Sequence, residues 1–143
     1  MSGFGLAFHH LGLAVARPEG AERFVRALGY QLGPHVRDDI QRVNLSLAAH
    51  AAMPSVEIIW PTDEEGPLTK LLKLSAEIAY HVAYECDFVE ATVAEIKAEG
   101  MRVIEVSPPQ PAMLFGERRV SFQRVVGFGL IELVERTLHG ASP

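Results

Sequence analysis

His10 stands 19 residues before Gly29 and His81 stands 19 residues before Gly100, so two stretches of the chain repeat each other at a shift of 71 residues. A repeat of this length confines the fold to two similar halves. In each copy the histidine sits in a short apolar, strand-like run, Phe8-His9-His10-Leu11-Gly12-Leu13-Ala14-Val15 and Ala79-Tyr80-His81-Val82-Ala83-Tyr84-Glu85-Cys86, and an amphipathic helical pattern ending at glycine follows. Each copy closes on a glutamate inside another apolar run, Val56-Glu57-Ile58-Ile59 and Leu130-Ile131-Glu132-Leu133-Val134. The histidine-to-glutamate separations are 47 and 51 residues, so the copies match from end to end with the slack in loops. Two histidines and two glutamates related by a repeat suggest one metal site built twice.

A chain of 143 residues makes one domain, or two small half-domains sharing an interface. With 48% apolar and 22% charged residues it can bury a core, and nothing in it reads as disordered. The net charge of -5, without basic blocks, argues against nucleic acid or an anionic membrane and leaves a small molecule as the expected partner. A single cysteine, Cys86, can form neither an internal disulfide nor a thiolate metal site and reads as a small buried residue in a reducing compartment. The apolar run 5–16 lacks a preceding Lys or Arg and is interrupted by two histidines, so it does not read as a signal peptide. No stretch is long enough to span a bilayer, and the expected location is cytoplasmic.

Along the first copy, Pro18 suits the first position of a helix with apolar residues at Ala21, Phe24, Val25 and Leu28, and Gly29 suits its end. Segments 30–36, 41–47 and 56–60 then read as strands. In the second copy Asp87 and Glu90 form an Asp-x-x-Glu helix start, Val89, Val93 and Ile96 line one face, and Gly100 stops the helix. Strands are expected at 102–105, 119–124 and 130–134. Between the copies, Pro61-Thr62-Asp63-Glu64-Glu65-Gly66 is an acidic turn, and 67–74 has the leucine spacing of a short helix. The expected architecture is α+β, a single domain of two tandem βαβββ modules, about 5–61 and 78–136, joined by a linker and short helix over 62–77.

Strand alternation sorts side chains by face. His10, Gly12 and Ala14 oppose Leu11, Leu13 and Val15; His81, Ala83 and Glu85 oppose Tyr80, Val82, Tyr84 and Cys86. Glu57 opposes Val56 and Ile58, and Glu132 opposes Ile131 and Leu133. The large apolar sets can pack under the helices while His10, Glu57, His81 and Glu132 face a cleft. The same sorting puts Arg42, Asn44 and Ser46 on one face in the first copy and Arg119, Ser121 and Gln123 in the second, as expected polar, substrate-binding walls of that cleft. His9 points away from His10 and is expected to pack, whereas His35, His50 and His139 have no counterpart in the other copy and read as surface residues.

Neutral imidazoles and carboxylates suit a divalent transition metal such as zinc, nickel, cobalt, manganese or iron, with positions left for water or substrate. Two carboxylates also neutralise the dication. An ion so held acts as a Lewis acid on a carbonyl and stabilises the enolate formed when a neighbouring C–H loses its proton.

The segments His10-Leu11-Gly12-Leu13-Ala14-Val15, Val56-Glu57-Ile58-Ile59-Trp60-Pro61 and Gly129-Leu130-Ile131-Glu132-Leu133-Val134-Glu135 resemble the vicinal oxygen chelate superfamily, which includes glyoxalase I, bleomycin-resistance proteins and extradiol dioxygenases. Within it, VEIIWPTDEEGPLTKLL over 56–72, followed by Ala79-Tyr80-His81-Val82-Ala83, is similar to methylmalonyl-CoA epimerases. The resemblance implies a glyoxalase-like cleft of paired βαβββ modules, a metal held by His10, Glu57, His81 and Glu132, and a homodimer. For an epimerase it also implies two bases on opposite faces of a carbon beside a thioester. Glu132 matches one of them. The other, a glutamate in some epimerases, falls in Gln41-Arg42-Val43-Asn44-Leu45, where Asn44 is the nearest match and an amide cannot abstract a proton.

The leading expectation is a metal-dependent isomerase or epimerase enolising a small carbonyl or acyl thioester, with Glu132 as base and Glu57 assisting. A glyoxalase I type hemithioacetal isomerase uses the same ligand set. A ring-cleaving dioxygenase needs only two histidines and one glutamate, so a fourth ligand counts against it, and a non-catalytic resistance-type binding protein generally lacks the ligands altogether.

Overall fold

The computed structural model describes residues 3–137, and the sequence expectation for His139 lies outside them. The chain divides into two compact units, one of His10–Tyr80 and the other joining the N-terminal segment up to His9 with the chain from His81 onward. The acidic turn and the short helix after it belong to the first of these.

β1 (Ala7–Val15), which belongs to the first unit from His10 onward, leads into α1 (Pro18–Ala27), followed by β2 (Gln31–Leu32), β3 (Val36–Asp38), β4 (Val43–Ala49), β5 (Val56–Pro61) and the short helix α2 (Pro67–Leu71). Proline at the start of α1 gives up only an N–H that would have no partner within the helix. At the other end Leu28 N–H reaches back to the Phe24 and Val25 carbonyls, and Gly29 takes a left-handed φ of 93° that a side chain would strain. Of the apolar stripe expected on this helix Val25 is buried, whereas Phe24 and Leu28 are exposed. The strand expected over 30–36 is broken into β2 and β3, because Gly33 and Pro34 interrupt it and proline has no N–H for a ladder. Arg42 has a left-handed φ of 58°, so β4 begins only at Val43.

Both β2 and β3 pair antiparallel with β4, β4 pairs antiparallel with β5, and β5 pairs parallel with β1. Under α1, one face of this sheet carries a core of Val15, Val25, Tyr30, Ala48 and Ile58, with Leu13, Val56 and Trp60 packed against it.

The second unit repeats the plan with β6 (Glu77–Cys86), which belongs to it from His81 onward, α3 (Val89–Ala98), β7 (Val103–Ala112), β8 (Arg118–Val125) and β9 (Gly129–Glu135). Its pairing order is β7-β8-β9-β6, antiparallel except for the parallel β9-β6 pair. Phe88 is the residue before α3 and makes no capping side-chain bond, and Asp87 accepts from Arg136 at 2.8 Å. Strand β7 runs well past the expected 105, through Pro108, Pro109 and Pro111, and its pairing with β8 is irregular on both sides of Ser107. On the α3 side Cys86, Val89, Ile131 and Leu133 form one core, and on the opposite face Ala83, Ala112, Phe115, Val120 and Val134 form another. Each unit is thus a mixed sheet with a helix on one face, the α+β arrangement anticipated. No helix among the described residues is long and apolar enough to cross a membrane.

Candidate functional site

Register shows how closely the two units repeat. In the first, Glu57 lies beside Gly12 of the parallel strand β1, two residues after His10. In the second, Glu132 lies beside Ala83 of β6, two residues after His81. Residues side by side across a ladder share a face, and so do residues two apart along a strand, so each histidine and its glutamate point the same way. Within the first unit His10 Nε2 lies 3.4 Å from Glu57 Oε2, and within the second His81 Nε2 lies 2.8 Å from Glu132 Oε2. Exposures of 0% for His10, 3% for Glu57, 4% for His81 and 2% for Glu132 take all four out of bulk water. A buried carboxylate persists only with a compensating charge or hydrogen-bond partners, so each pair is a costly arrangement that packing alone would not require. His81 is further fixed by an edge-on contact with Phe122, ring centroids 5.1 Å apart.

The antiparallel pairs then decide what lies beside each glutamate. Leu47 is opposite Glu57, with Leu45 opposite Ile59 and Val43 opposite Pro61 on the same face. Phe122 is opposite Glu132, with Val120 opposite Val134. The neighbours that β4 and β8 offer the histidine-glutamate pairs are therefore apolar.

This corrects the expectation of polar walls. Ser46 is opposite Ile58 and Asn44 is opposite Trp60, on the α1 side of the sheet, and Ser121 and Gln123 are opposite Leu133 and Ile131 on the α3 side. Arg42 lies outside the strand and braces the acidic turn, its Nη1 donating to the Glu65 carbonyl at 3.0 Å and its Nε lying 3.6 Å from Glu64. Asn44 reaches the Pro61 carbonyl, at 3.4 Å. Arg119 forks onto the buried Glu135 and onto Glu90 of α3, whose carboxylates hold its guanidinium above the ordinary arginine range. Ser121 donates to the Ser107 carbonyl at 2.7 Å and accepts from the Gln123 amide nitrogen at 2.8 Å. Alternation groups Asn44 with Ser46, and Arg119 with Ser121 and Gln123, but it does not reach Arg42, and the polar groups lie on the helix side of each sheet.

Strand alternation also held the signal for Leu47 and Phe122, which sequence reasoning passed over because apolar residues beside a ligand resemble core. His9 packs edge-on against Phe115 at 5.2 Å. His50 fixes its own loop, its Nδ1 accepting from the Ala52 and Met53 N–H groups at 2.9 and 3.1 Å, and His35 Nε2 lies 2.5 Å from Glu22. Glu85 shares the His81 face and lies 3.5 Å from Arg118. Burial pushes the Cys86 thiol up to about 11 against an opposing hydrogen bond to Thr92, so this residue behaves as the inert apolar group anticipated.

Comparison with known proteins adds three findings. Residues 9–122 match the family described as Glyoxalase/Bleomycin resistance protein/Dioxygenase superfamily. No functionally curated protein matches the chain. Among solved structures, methylmalonyl-CoA epimerase from Mycobacterium tuberculosis shares the fold at TM-score 0.75 and 23% identity, over 92% of this chain and 88% of that one. A hypothetical protein from Bacillus halodurans C-125 does so at TM-score 0.77 and 22% identity, over 96% and 99%. A variant of Streptomyces coelicolor methylmalonyl-CoA epimerase, in complex with 2-nitronate-propionyl-CoA, does so at TM-score 0.72 and 22% identity, over 96% and 98%.

Proposed function

Because the chain belongs to the glyoxalase/bleomycin resistance protein/dioxygenase superfamily, we propose that it is a metal-dependent isomerase of the epimerase-like kind, enolising a small carbonyl or acyl-thioester substrate. The observation that carries this reading is the duplicated pair: a buried His and a buried Glu, in the same register, in each half of the repeat. In this proposal His10, Glu57, His81 and Glu132 together hold one divalent transition metal. The donor set fits such an ion, since two neutral imidazoles and two carboxylates give a neutral complex with a dication. When bound, the ion would polarise a substrate oxygen and make the adjacent C–H more acidic.

The chain's own residues supply the rest. Glu132 is the proposed base, taking a proton from the carbon beside the carbonyl and returning it, and Glu57 assists. Leu47 and Phe122, opposite the two glutamates, keep water from them, which strengthens every charge interaction made there. β4 adds no carboxylate to the Glu57 face, where Val43, Leu45 and Leu47 stand, so a second base on that strand is not part of the proposal. The likeness of fold to methylmalonyl-CoA epimerases supports a substrate with an acidic C–H next to a carbonyl, and an acyl-CoA thioester is the first class to try.

The test is the metal content of protein purified without added metal, compared with His81→Ala, followed by two assays on the loaded protein. These are entry of solvent deuterium at the α-carbon of acyl-CoA thioesters and conversion of a glutathione hemithioacetal. A transition metal that the variant loses, with activity in either assay, is the expected result. Equally little metal in both proteins would overturn the site, and silence of the loaded protein in both assays would overturn the reaction.

A further inference from the structure

The second unit contains a cavity of about 340 Å³ on the helix side of its sheet, the face turned away from His81 and Glu132. Val89, Val93 and Ala94 of α3 wall it on one side and Pro109 of β7 on the other, Gln123 of β8 lines it between them, and Glu90, Lys97 and Glu105 complete the lining. This volume is at the lower end of small-molecule sites, which begin at roughly 300 Å³. Irregular pairing around Ser107 holds β7 off the regular course of a strand and leaves room beneath α3.

Gln123 is the residue that gives the cavity chemistry. It is 1% exposed, and its amide is oriented by a one-way chain of hydrogen bonds. Ser121 commits its proton to the Ser107 carbonyl, so it can only accept from Gln123 Nε2, and Ser107 Oγ is itself engaged by the Phe122 N–H at 3.1 Å. The amide nitrogen is thereby assigned to Ser121. The carbonyl oxygen receives no hydrogen bond from any described residue, and it is the group Gln123 has left to offer in the cavity. That oxygen is open to the cavity, where it can accept from a donor on a bound molecule.

Comparison with the other half sharpens the point. The position equivalent to Gln123 is Ala48, since Leu47 and Phe122 each stand opposite a glutamate, and Ala48 is sealed in the core beneath α1. An open space lined by a long amide has replaced a closed apolar contact.

The remaining charges specify the ligand. Arg119 takes up Glu90 through two hydrogen bonds of 3.1 and 2.9 Å, whereas Lys97 and Glu105 make no ion pair among the described residues. The lining therefore offers one cation, one anion, four apolar residues and the Gln123 amide oxygen as an acceptor. The geometry points to a free amino acid whose apolar side chain ends in an N–H or O–H donor, the chemistry of tryptophan and tyrosine. The ring lies among Val89, Val93, Ala94 and Pro109, its donor meets Gln123 Oε1, and the carboxylate and ammonium meet Lys97 and Glu105.

Calorimetric titration of the intact protein with L-tryptophan, L-tyrosine and L-phenylalanine tests this. Saturable binding of tryptophan or tyrosine is expected, with phenylalanine, which has no donor, at least about tenfold weaker. Gln123→Leu removes that preference, and the exposed Lys97→Glu, which leaves the core untouched, weakens whichever ligand binds. No saturable binding of any of the three would overturn the proposal, as would equal affinity for all three in the unmodified protein, or binding that neither variant alters.

Discussion

The two halves of this protein agree on one face of the sheet and disagree on the other. Beside the glutamates the match is close: His10 and His81 stand two residues before the partners of Glu57 and Glu132, and Leu47 and Phe122 stand opposite those glutamates. On the helix side Asn44, Ser46 and Ala48 in the first half become Arg119, Ser121 and Gln123 in the second. The first half closes over an apolar core, whereas the second builds an ion-pair network from Arg119 to Glu90 and Glu135 and a cavity beside Gln123. The repeat is thus held constant on the face of the histidine-glutamate pairs and varied on the helix face.

The largest effect is expected where the halves look most alike. Glu132→Gln should lower turnover by about 10²–10⁴-fold, the range for loss of a general base, while Glu57→Gln should act mainly by weakening metal retention. Turnover measured against bound metal for each variant separates the two, and equal turnover per bound metal would mean that the halves share the chemistry as well as the ligands.

A smaller contrast lies on the helix side. Ser121→Ala removes the acceptor for Gln123 and should cost about 1–3 kcal/mol in denaturant unfolding. The equivalent Ser46 has a buried hydroxyl with no hydrogen bond among the described residues, so Ser46→Ala should be neutral or stabilising. Similar losses in both variants would show that the hydroxyls are equivalent after all.

The smallest is a matter of pH. Cys86 occupies the place that Val15 holds in the first half, and burial raises its thiol from the ordinary value near 9 to about 11. The unfolded chain then releases this proton before the folded one, so this contribution to stability is intact below pH 9 and is lost as pH rises from 9 through 11. Cys86→Val should flatten the decline in that window, as read from unfolding midpoints at pH 8 and pH 10.5; parallel declines would remove the thiol from consideration.

Much of this was legible in the chain, because a repeat with strand periodicity fixes which residues share a face. The equivalence of His10 with His81 and of Glu57 with Glu132 came from the repeat, whereas the placing of each histidine beside its own half's glutamate comes from the parallel register. Faces could be grouped but not oriented: Asn44 and Ser46 were known to lie together, yet only the register against Ile58 and Trp60 shows that they lie under α1. A tertiary partner such as Arg136, which donates to Asp87 from 49 residues away, is beyond any local pattern. The length of β7 could not be read either, since Pro108, Pro109 and Pro111 signal a turn to any local rule and are tolerated only because the pairing there is irregular.

Those prolines have a consequence for how the protein behaves in a crowded cell. β7 ends its sheet, and the terminal strand of a sheet ordinarily presents a row of N–H and C=O groups on which another chain can build. Three N–H donors are missing along this strand, and the irregular stretch around Ser107 throws the remaining ones out of step. A stray strand meeting this edge would find no continuous ladder, so the distortion that makes room beside Gln123 also guards the protein against aggregation.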